Sequence, residues 1–233
     1  MKKTILKITI LTAILGILGF NNLESVSAFS NQSTVAKEEQ QTTSIELTQN
    51  EIDALLFMRE EEKLARDVYQ TLFDKWNLAI FENIAKSEQR HMDAVKTLIF
   101  RYGLEDPMLA EAGEFTNQDL QELYDSLVVQ GSQSISDALL VGGAIEEIDI
   151  LDLQDGLKET TNADIVRVFE SLLKGSYSHL KAFANNYNRQ TGETYQPQFM
   201  TQIVFDEIIN QSNANGNGRF QSTTTQGRRG GRR

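Results

Sequence analysis

From about Thr43 to Ser212, apolar residues recur every three or four positions, and strand-like alternation is scarce. The period predicts helices throughout. A capping box, Thr48-Gln-Asn-Glu51, opens a first long helix that should run to about Asp74. A second runs from about Ala79 to Tyr102 and stops at Gly103. A loop with Pro107 and Gly113 leads to a shorter helix, about Gln118 to Gln130, capped at Thr116 or Asn117. The third long helix begins near Ser134 and ends near Leu157, with Gly142-Gly143 inside it as a point where it can kink. A second capping box, Thr161-Asn-Ala-Asp164, starts the fourth, which ends near Asn188. The segment "FMTQIVFDEIINQ" after Pro197 predicts a final packing helix. Four long helices in two pairs, with an extra helix in the long link, predict an all-α four-helix bundle.

Each long helix carries an apolar seam broken near its middle. The first reads Leu55, Met58, Glu62, Ala65, Tyr69, Leu72. The second reads Ile84, Glu88, His91, Val95, Leu98. The third reads Leu139, Gly142, Glu146, Asp149, Leu153, and the fourth Ile165, Phe169, Leu172, Ser176, His179, Phe183. A single break means little, since Glu62 has Arg66 at i+4 as a surface partner. Four breaks at matching depth mean more, and both histidines of the chain are among them. Glu60 and Glu61, beside Glu62, belong by this phase to a solvated charge run. Glu147 competes with Glu146 for the inward position.

Converging carboxylates need compensation. Two of them about 5 Å apart repel by roughly 3 kcal/mol at an effective dielectric of 20. Glu62, Glu88, Glu146 and Asp149 supply four negative charges, which two divalent ions balance, with His91 and His179 as neutral nitrogen donors. Oxygen and imidazole donors without sulfur suit iron (two Fe) or manganese, with zinc behind them.

The ends of the chain read differently. "MKKTILKITILTAILGILGF" has a basic start and a short apolar run, followed by Val26-Ser27-Ala28. Residues 1–28 are expected to be a cleaved signal peptide, which makes the protein secreted or extracytoplasmic. Residues 29–46 read as a polar linker, 47–212 as the helical domain and 213–233 as a disordered Arg/Gly-rich tail. The chain has 22 basic and 33 acidic residues. Without the leader and the five tail arginines, 14 basic and 32 acidic residues remain, about −18. Such a core is a poor nucleic-acid binder. The arginine tail could rest on anionic cell-surface polymer or lipid. No cysteine is present, which excludes disulfides, thiolate metal sites and thiol catalysis. Neither G-x-S-x-G nor H-E-x-x-H occurs.

The stretches "MREEEKLARDVY", "SEQRHMDAV", "AIEEIDILDL" and "GSYSHLKAF" together resemble an uncharacterised prokaryotic ferritin-like domain family. More distantly, they resemble rubrerythrin- and ferritin-type di-iron carboxylate proteins. The resemblance spans about Ile45 to Tyr187. It implies Glu62 as the first-helix ligand and Glu88 with His91 as the second-helix pair. It also implies Glu146 and His179 as ligands from the third and fourth helices, and Asp149 as an additional carboxylate. Tyr69 would be a hydrogen-bond partner of a ligand, a redox-active phenol or a packing tyrosine. One departure stands out: Ser176 occupies the place of the expected bridging Glu, three before His179. Two functions follow as expectations. One is a metal protein that oxidises Fe(II) or reduces O2 or peroxide. The other is a non-enzymatic envelope scaffold or cation-binding module with a degenerate site.

Overall fold

The computed structural model describes residues 46–214; the expected signal peptide, nearly all of the linker and nearly all of the arginine tail lie outside the described residues. All regular structure among the described residues is helical: α1 (Gln49–Trp76), α2 (Ala79–Arg101), α3 (Gln118–Gly131), α4 (Ile135–Glu159), α5 (Ala163–Thr191) and α6 (Gln202–Ala214). No described helix is long and apolar enough to cross a membrane.

The caps explain the boundaries. Thr48 and Glu51 form the expected capping box at α1. Asn77 closes that helix in the left-handed conformation, with φ 51°, a shape that asparagine tolerates well. The turn into α2 is then only Asn77 and Leu78, so α1 and α2 lie side by side as an antiparallel pair. The same logic pairs α4 with α5 across Thr160–Asn162. Asn117 caps α3, and Ser134 caps α4. At α5 the cap is Asn162, which accepts from the amides of Asp164 and Ile165, so the box expected at Thr161 does not form. The helix starts at Ala163, which puts Asn162 and not Thr161 at the first free amides.

The two pairs pack α1 against α4 and α2 against α5, with α3 laid across α1 and α4 and α6 against α5. α4 runs through Gly142-Gly143 as one continuous helix. The two glycines serve packing instead. A Cβ at Gly142 would collide with the Phe183 ring and one at Gly143 with Tyr195.

The core divides in two. One apolar cluster surrounds Tyr69, Leu72, Phe81 and Phe183; the other surrounds Leu55, Met58, Val95, Leu153 and Phe169. Between them lies a polar layer contributed by all four long helices.

Candidate metal centre

That layer contains Glu62, Glu88 and Glu146, each about 2% exposed, with Asp149, Ser176 and His179 also buried and His91 half-buried. The seam phase therefore places every predicted site residue inside the bundle. Glu62 is not paired with Arg66, whose guanidinium goes to Asp67 and Gln89 instead.

Glu88 is the centre of the arrangement. Its Oε2 lies 2.7 Å from His91 Nδ1, and its Oε1 lies 2.8 Å from His179 Nδ1. Glu62 Oε2 stands 3.2 Å from the same His91 nitrogen, and Glu146 Oε2 stands 3.4 Å from that of His179. Two donor sets result: Glu62, Glu88 and His91, and Glu88, Glu146 and His179, with the donor atoms of each within 4.8 Å of one another. The sets mirror each other and share Glu88. The imidazoles stack with centroids 5.5 Å apart.

These spacings fit a metal. Donors about 2.1 Å from one ion, at right angles to each other, lie about 3.0 Å apart. The four contacts bracket that value. Orphaned atoms point the same way. Glu62 Oε1, Glu88 Oε1, Asp149 Oδ1 and His179 Nδ1 are buried without a hydrogen-bond partner. Glu88 Oε1 and His179 Nδ1 are thus close together yet not aligned as donor and acceptor. Buried polar atoms left this way are rare in folded proteins. The group of ligand types has no sulfur and suits iron, manganese or zinc.

Without metal, the layer is electrostatically uneasy. Burial pushes Glu88 up, but the imidazoles of His179 and His91 pull it down to about 2. Burial pushes His179 down, but Glu146 and Glu88 hold it up at about 11, so an imidazolium takes the place of a cation. Burial and then the charges of Asp149 and Glu88 drive Glu62 well above the carboxylate range. Asp149 is raised to about 8 by burial and by Glu146, although Ser176 donates to it.

A pH prediction follows. An acid raised in the folded state binds its proton more tightly there than in the unfolded chain. Its contribution to stability is complete below about pH 4 and is lost as pH rises toward 8 for Asp149. His179, raised from 6.5, gives stability present below 6.5 and lost as pH rises through about 11. Both push the same way between pH 5 and 8. Chelator-treated protein should melt at a higher temperature at pH 5 than at pH 8. Metal-loaded protein should show the reverse order, because its ligands must be deprotonated. Thermal unfolding at both pH values checks this.

The surrounding side chains orient the ligands. Tyr69 donates its hydroxyl to Glu146 Oε1 at 2.6 Å, leaving Oε2 on the His179 side. Ser176 donates to Asp149 Oδ2 at 2.5 Å. Asp149 does not belong to either donor set. Glu147 turns away and accepts from the Tyr195 hydroxyl and the amides of Gln198, Phe199 and Met200. Glu146 is therefore the inward residue of the two.

The solvated reading of Glu60 and Glu61 is overturned, since they are 4% and 5% exposed. Glu60 accepts the amides of Thr116 and Asn117 and so anchors the start of α3. Its neighbours on α1 grip the same crossover. Arg59 binds Asp106, and Lys63 reaches Asp67 and the carbonyls of Glu111 and Glu114. Burial, the charges of Asp152 and Asp149 and a hydrogen bond with Asp152 push the Glu61 carboxyl well above the carboxylate range.

Gly175 is a site residue that the seams did not reveal. A Cβ there would sit 2.6 Å from Cε1 and Nε2 of His91. Glycine inside a helix costs about 1 kcal/mol relative to alanine, so the gap has a use: it seats the His91 ring. Gly175→Ala should retain or improve helicity yet lower bound metal from about two ions per chain to about one. Circular dichroism and metal analysis of the same sample check both halves.

Comparison with known proteins places the chain in a family. The chain is 47% identical over 171 residues to an uncharacterized protein, MJ0754, of Methanocaldococcus jannaschii, covering 73% of this chain and 92% of that one. It is also similar to the crystal structure of hypothetical protein MJ0754 from Methanococcus jannaschii, with a TM-score of 0.69 at 45% identity. That match covers 76% of this chain and 98% of the other. A family described as an uncharacterized protein domain matches residues 51–212, and the chain belongs to that family, DUF2202.

Proposed function

We propose that this chain is a secreted, ferritin-like protein that binds two iron or manganese ions and turns over Fe(II), O2 or peroxide. The observation that carries the reading is Glu88, which places one carboxylate oxygen beside each imidazole in two mirrored donor sets. In this reading Glu62 and His91 would hold one ion and Glu146 and His179 the other, with Glu88 available to both donor sets. Tyr69 fixes Glu146, and partners of this kind are commonly as important to a metal site as the ligands.

When bound, iron supplies electron transfer: two Fe(II) lose one electron each, and one O2 takes both with two protons to give hydrogen peroxide. The apolar clusters above and below the layer limit water and strengthen its electrostatics. The test is anaerobic Fe(II) addition followed by O2. The expected result is a ferric absorption band that grows with about two Fe(II) oxidised per chain. Bound iron with no oxidation would overturn the turnover part.

Ser176 favours a second reading, a cation-binding module without turnover. A serine bound to Asp149 supplies no bridge of the usual di-iron kind. In either reading the arginine tail contacts anionic surface polymer or lipid; salt-sensitive binding to anionic vesicles, lost on truncation at residue 213, checks it.

A further inference from the structure

The Glu88 centre meets solvent at its two imidazoles. Their side chains are 12% (His91) and 11% (His179) exposed, while those of Glu62, Glu88 and Glu146 are 1%, 3% and 2%. Both rings turn Nδ1 to the carboxylates, which leaves Nε2 on the other side of each ring. A ligating histidine commonly donates that second N–H to a carboxylate or a backbone carbonyl. Among the described residues neither Nε2 has such a partner.

Gly175, on α5, adjoins both rings and is itself half-buried. A Cβ there would lie 2.6 Å from Cε1 and Nε2 of His91 and 3.9 Å from Cε1 of His179. A side chain at this position would cover both imidazoles; glycine leaves them open between α2 and α5. The other junctions of the bundle are fastened close to the centre. Arg66 on α1 reaches Gln89 on α2, Gln154 on α4 reaches Tyr177 on α5, and Tyr69 on α1 reaches Glu146 on α4. Between α2 and α5, apart from Glu88 and His179, the described side-chain bonds lie at one end, at Arg101 and Tyr102. The gap is flanked by Ser87, Arg90 and Ala94 on α2 and by Ser171 and Ser178 on α5. None of these is acidic, in a chain of net charge −11, and Arg90 is exposed. Such a rim favours uncharged molecules over cations.

We propose that the junction of α2 and α5 at Gly175 is the mouth through which a small uncharged oxidant, dioxygen or hydrogen peroxide, reaches the Glu88 centre. The two imidazole edges form its inner wall. The inference rests on the reading above, since it gives that centre its route of entry.

The experiment uses the full chain carrying Ser178→Trp. Ser178 is exposed, and a helical side chain leans toward the N-terminus, so an indole there lies over Gly175. The protein is loaded anaerobically with Fe(II) and mixed with H2O2. One H2O2 takes one electron from each of two Fe(II), with two protons, and gives two waters. Iron content should equal that of the wild type. The ferric band should grow at least about tenfold more slowly, because entry then waits for a minor open state. Ser178→Leu, a milder change, should fall between the two. Gln70→Trp, in the groove between α1 and α2, should react as the wild type does. A second readout needs no metal: hydrogen–deuterium exchange at Cε1 of His91 and His179 in chelator-treated protein, read by mass spectrometry. Ser178→Trp should slow both exchanges and Gln70→Trp neither. Wild-type rates for Ser178→Trp in both readouts would overturn the mouth and leave the centre standing. A change in one readout without the other would overturn it as well. Wild-type chain that holds no iron, yet shows exchange slowed by Ser178→Trp, would keep the opening and refute the centre.

Discussion

Glu88→Gln should bring metal content from about two ions per chain to well under one. Each of the other ligands serves a single donor set, while Glu88 serves both, with 2.7 Å and 2.8 Å approaches to the two imidazoles. Glutamine keeps the volume but removes the negative charge and one acceptor oxygen. Glu88 is held at about 2, so the carboxylate is ionised at neutral pH and the variant loses a full charge. Metal raises stability in proportion to how far its concentration exceeds the dissociation constant, roughly 4 kcal/mol at a thousandfold excess. The variant should lose this metal-dependent rise in melting temperature. Glu62→Gln should lose about half as much metal. Metal analysis with thermal unfolding, with and without added Mn2+, separates the two. Equal losses in both variants would refute the shared role of Glu88.

Glu147→Ala should have the largest effect on the fold itself. This buried carboxylate gathers the Tyr195 hydroxyl and three consecutive amides, Gln198, Phe199 and Met200. Alanine leaves those donors without an acceptor in a place that water does not reach freely. Each stranded donor costs about 1–3 kcal/mol, and relaxation recovers part of it, so a loss of about 3 kcal/mol is expected. For a domain of this size that is a fall of roughly 6–12 °C in melting temperature. Metal stoichiometry should be retained at low temperature, because Glu147 faces away from the donor sets. Thermal unfolding and metal analysis together check this. A wild-type melting temperature would show that the C-terminal segment is held by packing alone.

These two carboxylates are neighbours in sequence with opposite duties, and that contrast marks how far the sequence is readable. Glu146 could be placed inside because its seam has a period and a depth that three other helices share. The duty of Glu147 depends on Tyr195 and the segment after Pro197, some fifty positions away, and no helical period reports such a contact. The α1 charge run repeats the lesson. Glu62 follows the seam. Glu60, Lys63 and Asp67 look like a solvated face until the crossover between α2 and α3 is laid over them. A loop carries no periodic signal of what it covers, so their burial was hidden. The α5 cap is not legible because two consecutive residues, Thr161 and Asn162, both suit the position. Gly175 was hidden for a different reason. Its role lies in the space above its Cα, which becomes visible only when the His91 ring is set against α5.

The central claim is a two-ion centre whose donor sets share Glu88. Its most direct test is anaerobic loading of the purified protein with Fe(II), removal of unbound metal, and iron analysis per chain. The account predicts about two irons in the wild type. Less than one iron per chain after loading would contradict it.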